Sequence, residues 1–230
     1  MRVAGNVGGV FHLRDGAVVA VDSPGSPAAE TLLLSSGRVG ARDWAAALVA
    51  SVEAGSVQAA LVGRGVIGPA EVRAFALAAV RDGAFAVAAG EVESCEVAAE
   101  PGDVPALPVA GGVEPESLLA ETARRLDAVA SLPVPVAPYR DRVVPAGGVD
   151  PAVLTAERRE VVFHATGRRT VRDVAFAVGR SLYPVTVEIS RMLGEGVLEI
   201  ASPRDSFTFS HGDLTALRAR AEMREAGRPV

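Results

Sequence analysis

Three histidines, one cysteine and a scatter of arginines are the residues of this 230-residue chain with the most chemical potential. His12, His164 and His211 have no metal-ligand spacing, so they are expected to be structural or surface histidines. Cys95 has no second cysteine to oxidise with and is expected to be a packed, inert thiol. The chain contains no lysine, which excludes a Gly-Lys-Ser/Thr phosphate loop. Asn6-Val7-Gly8-Gly9 carries part of a dinucleotide-binding pattern, but no long helix follows it, and it reads as a turn. Ser36-Gly37 and Ser181 lack the strand–serine–helix setting of a nucleophile elbow. The expectation is a protein with no catalytic residues, no cofactor and no metal.

The arginines point to binding. Arg168, Arg169, Arg172, Arg180, Arg191 and Arg204 cluster in the C-terminal third and are the candidate contacts for a partner or a nucleic acid. On a DNA reading, the first three would touch phosphates, Arg180 and Arg191 would lie along the groove, and Arg204 would sit at a wing tip. Against that, the segment Tyr183 to Leu193 carries one Arg, one Glu and few side chains able to read base edges. A helix this apolar suits protein contact better.

Local signals place these residues. Val7 to Leu13 and Ala17 to Val21 read as a hairpin closed by Asp15-Gly16. Ser26-Pro27 reads as the start of a helix. From there to about Asp82 the pattern is helical, with an internal repeat at an offset of 28 residues. Leu33 to Gly40 followed by Asp43-Trp44 matches Leu61 to Gly68 followed by Glu71-Val72. Each unit ends a helix at a glycine, inserts an apolar plug, then opens a helix with an acid near its positive end. Trp44 is expected in the core. Ala84 to Ala88 and Val92 to Val97 read as two further strands. Pro101 to Gly112 reads as a linker, 115–130 as an amphipathic helix, and the proline-rich stretch after it as a second, stiffer linker. Thr155 and Thr170 are N-caps of two helices; a third spans Tyr183 to Leu193. Val197 to Ile200 and Ser206 to Phe209 read as a β-ribbon, and Asp213 to Ala226 as a terminal helix. Three short helices followed by a ribbon is the winged-helix order.

Charge is uneven. Residues 1–150 hold 11 Arg against 18 acids, whereas 151–210 hold 8 against 7. A nucleic-acid binder is expected to show a stronger basic footprint. No signal peptide and no apolar run of bilayer length is visible, and one cysteine suits a reducing compartment, so a cytoplasmic protein without membrane insertion is expected. The Ala/Val/Gly/Arg excess, with single Asn and Gln residues, reflects a high-GC genome such as an actinobacterium's.

The hairpin Asp15-Gly16-Ala17-Val18-Val19-Ala20, the Leu-x-x-x-Gly-x-Val repeats, Gly167-Arg168-Arg169-Thr170-Val171-Arg172-Asp173-Val174-Ala175 and Val185 to Leu193 resemble the bacterial PATAN-type family. The resemblance implies a regulatory, protein-contacting role and assigns no catalytic residue. The helical repeat is also similar to the N-terminal domain of type II secretion ATPases, some of which bind cyclic di-GMP. That pattern opens on Arg-Leu-Gly and has Gln early in its second helix. Here the opening is Ser56-Val57-Gln58, and Asp43 and Glu71 stand at the Gln positions, so the ligand contacts are not reproduced.

The sequence therefore predicts an α+β chain: a small sheet with an inserted helical repeat, followed by a winged-helix-like tri-helical domain. The boundaries are 1–100 for the PATAN-like domain, 101–150 for a Pro/Gly-rich linker with one helix, 151–210 for the winged-helix-like domain and 211–230 for a C-terminal helix. The expected function is a bacterial signalling or regulatory adaptor with a protein partner, with room for a homodimer. A DNA-binding transcriptional regulator is the first alternative and a cyclic-dinucleotide-responsive regulator the second.

Overall fold

The chain opens with three short strands, β1 (Arg2–Gly5), β2 (Gly9–Arg14) and β3 (Ala17–Asp22), in a computed structural model that describes residues 1–97 and 105–201. Asp15 and Gly16 both take positive φ, 51° and 79°, the type I′ geometry that matches strand twist and that Asp-Gly adopts at low cost. The β2–β3 hairpin is as expected; β1, only four residues long, is an addition to it.

Four helices follow: α1 (Ala29–Ser35), α2 (Ala41–Ala54), α3 (Val57–Gly63) and α4 (Pro69–Ala88). The first starts later than Ser26-Pro27 indicated, with Ala28 as its N-cap. The 28-residue repeat is a structural repeat. Gly37 and Gly65 end their helices at φ 71° and 68°. Val39 and Ile67 are buried as plugs, and Gly40 and Gly68 are the N-caps of α2 and α4. Trp44 and Val72, at equivalent positions, enter the same apolar cluster as Leu33 and Leu61. Arg38 of the first unit forms an ion pair with Glu71 of the second.

After α4 the chain returns to the sheet as β4 (Val92–Glu96), giving the antiparallel order β3-β2-β1-β4. Ala84 to Ala88 is thus the end of α4, not a strand. The reason is burial all round its C-terminal part, where Asp82 to Val87 are all buried: α4 feeds Val72 and Ala79 to the repeat's core, Ala76, Val80 and Ala84 to the cluster under the sheet, and Phe85 and Ala86 to the C-terminal core. A helix buried all round loses its 3.6-residue stripe, and a short apolar run of that kind imitates a buried strand.

Next come α5 (Pro115–Ala130), capped by the Glu114 carboxylate, and β5 (Val143–Pro145). The stretch expected to be linker is largely packed: Leu107, Val109, Val136 and Val143 are buried, and Val113 bridges to Val18 of β3. Three helices follow, α6 (Ala156–His164), α7 (Val171–Ala177) and α8 (Leu182–Gly194). Thr155 and Thr170 cap the first two as predicted, and Thr170 with Asp173 makes a full capping box. Strand β6 (Leu198–Ile200) pairs with β5. The expected boundary near residue 150 therefore divides a ribbon, and the C-terminal core continues into Phe85 and Ala86. Ser206 to Phe209, the helix expected from Asp213, Arg204 and His211 lie outside the described residues. Among the described residues no single helix is long and apolar enough to cross a membrane.

Candidate interaction site

The N-terminus of α8 is where the chain's least ordinary chemistry sits. Ser181, its N-cap, offers no side-chain hydrogen bond. The cap comes instead from Asp82, about a hundred residues earlier on α4. The backbone N–H groups of Leu182 and Tyr183 donate to the two oxygens of its carboxylate at 2.6 and 2.9 Å. Asp82 is fully buried. Burial pushes its carboxyl above the ordinary range, opposed by those two N–H groups and by the charge of Arg125. The helix end also attracts the carboxylate through its dipole.

Aromatic packing closes the same junction. Phe85 meets Tyr183 edge-to-face at 5.3 Å, and the Arg125 guanidinium lies 4.7 Å over the Tyr183 ring. The Tyr139 hydroxyl donates to the Ala86 carbonyl at 2.6 Å, and burial, with the nearby Asp82 charge, drives its ionisation well above the phenolic range. Further along α8, Ser190 donates to the Val134 carbonyl at 2.6 Å, and Leu182, Val185, Ile189 and Met192 fill the core. The outward residues are Pro184, Val187, Glu188 and Arg191, which carry no net charge.

The five predicted arginines among the described residues have different surroundings. Arg168 is exposed in the turn before α7. Arg169 meets His164 Nδ1 at 2.6 Å. Arg172 is turned inward: its Nε donates to the Pro24 carbonyl at 2.8 Å, it contacts Asp173 at 3.1 Å, and it covers the Phe176 ring at 4.9 Å. Arg180 pairs with Glu160. Arg191 lies 3.8 Å from Glu188. The sequence reading missed Arg158, which binds Glu188 and Glu195 at 2.6 Å each and fixes α6 against α8.

A cleft of about 450 Å³ opens beside Arg172, bordered by Asn6, Pro24, Tyr139, Arg140 and Thr170. Three of its polar side chains already have partners within the chain. The Tyr139 hydroxyl holds Ala86, the Thr170 hydroxyl accepts from Asp173 N–H at 3.2 Å, and Asn6 Oδ1 accepts from Glu91 N–H at 2.8 Å. His12 is paired with Asp22 at 2.9 Å. Cys95, expected to be packed, is exposed on β4, whose outer edge is uncovered by any described strand. Among the described residues no group of three His, Cys, Asp or Glu side chains is placed to hold a metal ion.

Large apolar side chains do reach the surface. Phe163 on α6 is 78% exposed, and Val153, three residues before that helix begins, is 79% exposed. Asp82 had one signal in the sequence, a lone acid inside an apolar run; Phe163 had none that separated it from its buried neighbour Val161. No protein-family model, curated protein or solved structure matches this chain.

Proposed function

We propose that this chain is a non-catalytic bacterial signalling or regulatory adaptor that works through protein–protein contacts. In this reading α6, α7 and α8 with the β5–β6 ribbon form a winged-helix-like unit, the finer form of the α+β architecture described above. Its third helix is a structural element and not a reader of bases. The observation that carries the proposal is the Asp82 carboxylate at the N-terminus of α8. In a winged helix that end enters the major groove. Here it faces the buried carboxyl group of Asp82 on α4, and the outward side of α8 has no net positive charge. Arg169, Arg172 and Arg180 are engaged by internal partners, which reduces the phosphate contacts these candidates could offer to counterion release, the main source of nucleic-acid affinity. The resemblance to PATAN-type regulatory domains supports the same class of role.

Phe163 is the anchor assigned to the partner. Aromatic side chains, Phe among them, are enriched at protein interfaces, and this one is exposed. A photo-crosslinking amino acid at position 163 in the native cell is expected to trap one discrete protein, and the chain carrying Phe163→Ser is expected to lose that partner on affinity purification. Cross-linking only to nucleic acid, or a partner retained at full yield by Phe163→Ser, contradicts the proposal.

A further inference from the structure

Helix α2 presents an apolar stripe to solvent. Ala41, Ala45, Leu48, Val49 and Val52 fall at i, i+4, i+7, i+8 and i+11, within one side of the helix, and all are exposed. Val49 is 79% and Val52 87% exposed, while the opposite side buries Trp44 and Ala47 in the repeat's core. A surface helix ordinarily carries charge on this side. Contiguous exposed Leu and Val mark an interaction surface.

The flanking charges identify the occupant. Arg42 and Glu53 lie on the same flank of the stripe, three helical turns apart, near opposite ends of α2. Both are exposed and neither forms an ion pair among the described residues. A second α2 packed antiparallel about a two-fold axis through the middle of the helix superposes the two stripes. The same operation sets Arg42 of each copy against Glu53 of the other. The surface is thus self-complementary in shape period and in charge, which is the requirement of an isologous contact.

We propose that α2 is the dimer interface of this protein, pairing antiparallel with α2 of a second copy. The surface is distinct from Phe163, so the dimer stands or falls independently of the adaptor reading. A single helix pair buries less than the roughly 1,200 Å² of a standard interface, so the dimer is of the weak class, with a dissociation constant on the order of 1–100 μM. The helix spans only ~21 Å, short of a bilayer's hydrocarbon core.

The test is sedimentation equilibrium of the full chain from about 1 μM to about 500 μM, with circular dichroism melts to establish that each variant folds. The wild type is expected to shift from monomer to dimer across that range. Val49→Glu with Val52→Glu is expected to abolish the shift with an unchanged melt, since both side chains are exposed. Arg42→Glu alone and Glu53→Arg alone each place like charges opposite one another and are expected to weaken the dimer at least tenfold. The double variant R42E/E53R rebuilds both pairs with reversed polarity and is expected to recover the wild-type constant. A chain monomeric throughout overturns the proposal, and so does a dimer indifferent to the Val49 and Val52 changes, or a charge-reversed double variant no tighter than the singles. Flotation of a monomeric wild type with phosphatidylcholine vesicles would place lipid on the stripe instead and equally overturn it.

Discussion

Replacing Asp82 with Ala should destabilise the protein by about 2–3 kcal/mol. A lost N-cap costs about 0.5–2 kcal/mol. A buried donor left without an acceptor costs about 1–3 kcal/mol. Both apply, because Leu182 is fully buried and water cannot replace the carboxylate at its N–H. Release of a buried charge offsets part of the loss. For a chain of this size that is a fall in melting midpoint of roughly 5–10 °C. Asp82→Asn keeps one acceptor oxygen for two N–H donors, so at neutral pH it should cost about 1–2 kcal/mol, less than Asp82→Ala. The two variants also differ in pH dependence. Burial holds the Asp82 carboxyl above its ordinary value of 3.8, so the native state binds that proton more tightly than the unfolded state does. Such a group contributes fully below the ordinary value, and its contribution is lost as pH rises through the native value. Wild type should therefore gain stability relative to Asp82→Asn as pH falls from 7 toward about 4. Urea denaturation of wild type, Asp82→Ala and Asp82→Asn across that range is the assay. An Asp82→Ala midpoint indistinguishable from wild type, or a pH-independent gap between wild type and Asp82→Asn, would refute the reasoning.

Gly179→Ala should be far more damaging than Gly37→Ala, although φ is positive at both, 64° and 71°. A Cβ at residue 179 would meet the Ser35 Cβ at 2.2 Å, whereas at residue 37 it enters open space. Thermal melts should show about 1 kcal/mol lost for Gly37→Ala and several times that for Gly179→Ala. Thr170→Ala removes the capping box of α7 and should cost about 1 kcal/mol by urea denaturation. The Asp173 carboxyl has a separate acid signature. Burial tends to raise it, but the Thr170 N–H and hydroxyl and the Arg172 charge outweigh burial and hold it below its ordinary value of 3.8. Its contribution is present above that value and is lost as pH falls through the lower native one, so Asp173→Asn should flatten the stability profile below about pH 4, a window separate from that of Asp82.

The parts legible in the sequence were those written in short-range punctuation. Asp15-Gly16 closes the hairpin, Gly37 and Gly65 end equivalent helices, and Thr155 and Thr170 cap theirs, because each of these choices is dictated by backbone conformation within a few residues. What escaped was set by tertiary contact. Ala84 to Ala88 has no amphipathic period because three cores surround α4, so the apolar run read as strand. Pro and Gly marked 101–150 as linker, yet Val136 and Val143 lie in the C-terminal core, and β5 pairs with a strand some fifty residues on. Of the candidate site, the six arginines were named from composition, but their partners were not visible. Pro24 lies 148 positions from Arg172, and no local pattern links a backbone carbonyl to a guanidinium across that interval.

The proposal that the protein acts through protein contacts rests on α8 being a structural helix whose N-terminus is capped by Asp82. Fluorescence anisotropy of a labelled random 30-base-pair duplex, titrated with the full chain at 50 mM and 200 mM salt, tests it most directly. No saturable binding is expected below about 10 μM at either salt, because Arg169, Arg172 and Arg180 beside α8 are held by internal partners. Saturable binding at low salt that weakens a hundredfold or more at 200 mM, and is lost on replacing Arg168, Arg169 and Arg172 with Ala, would contradict it.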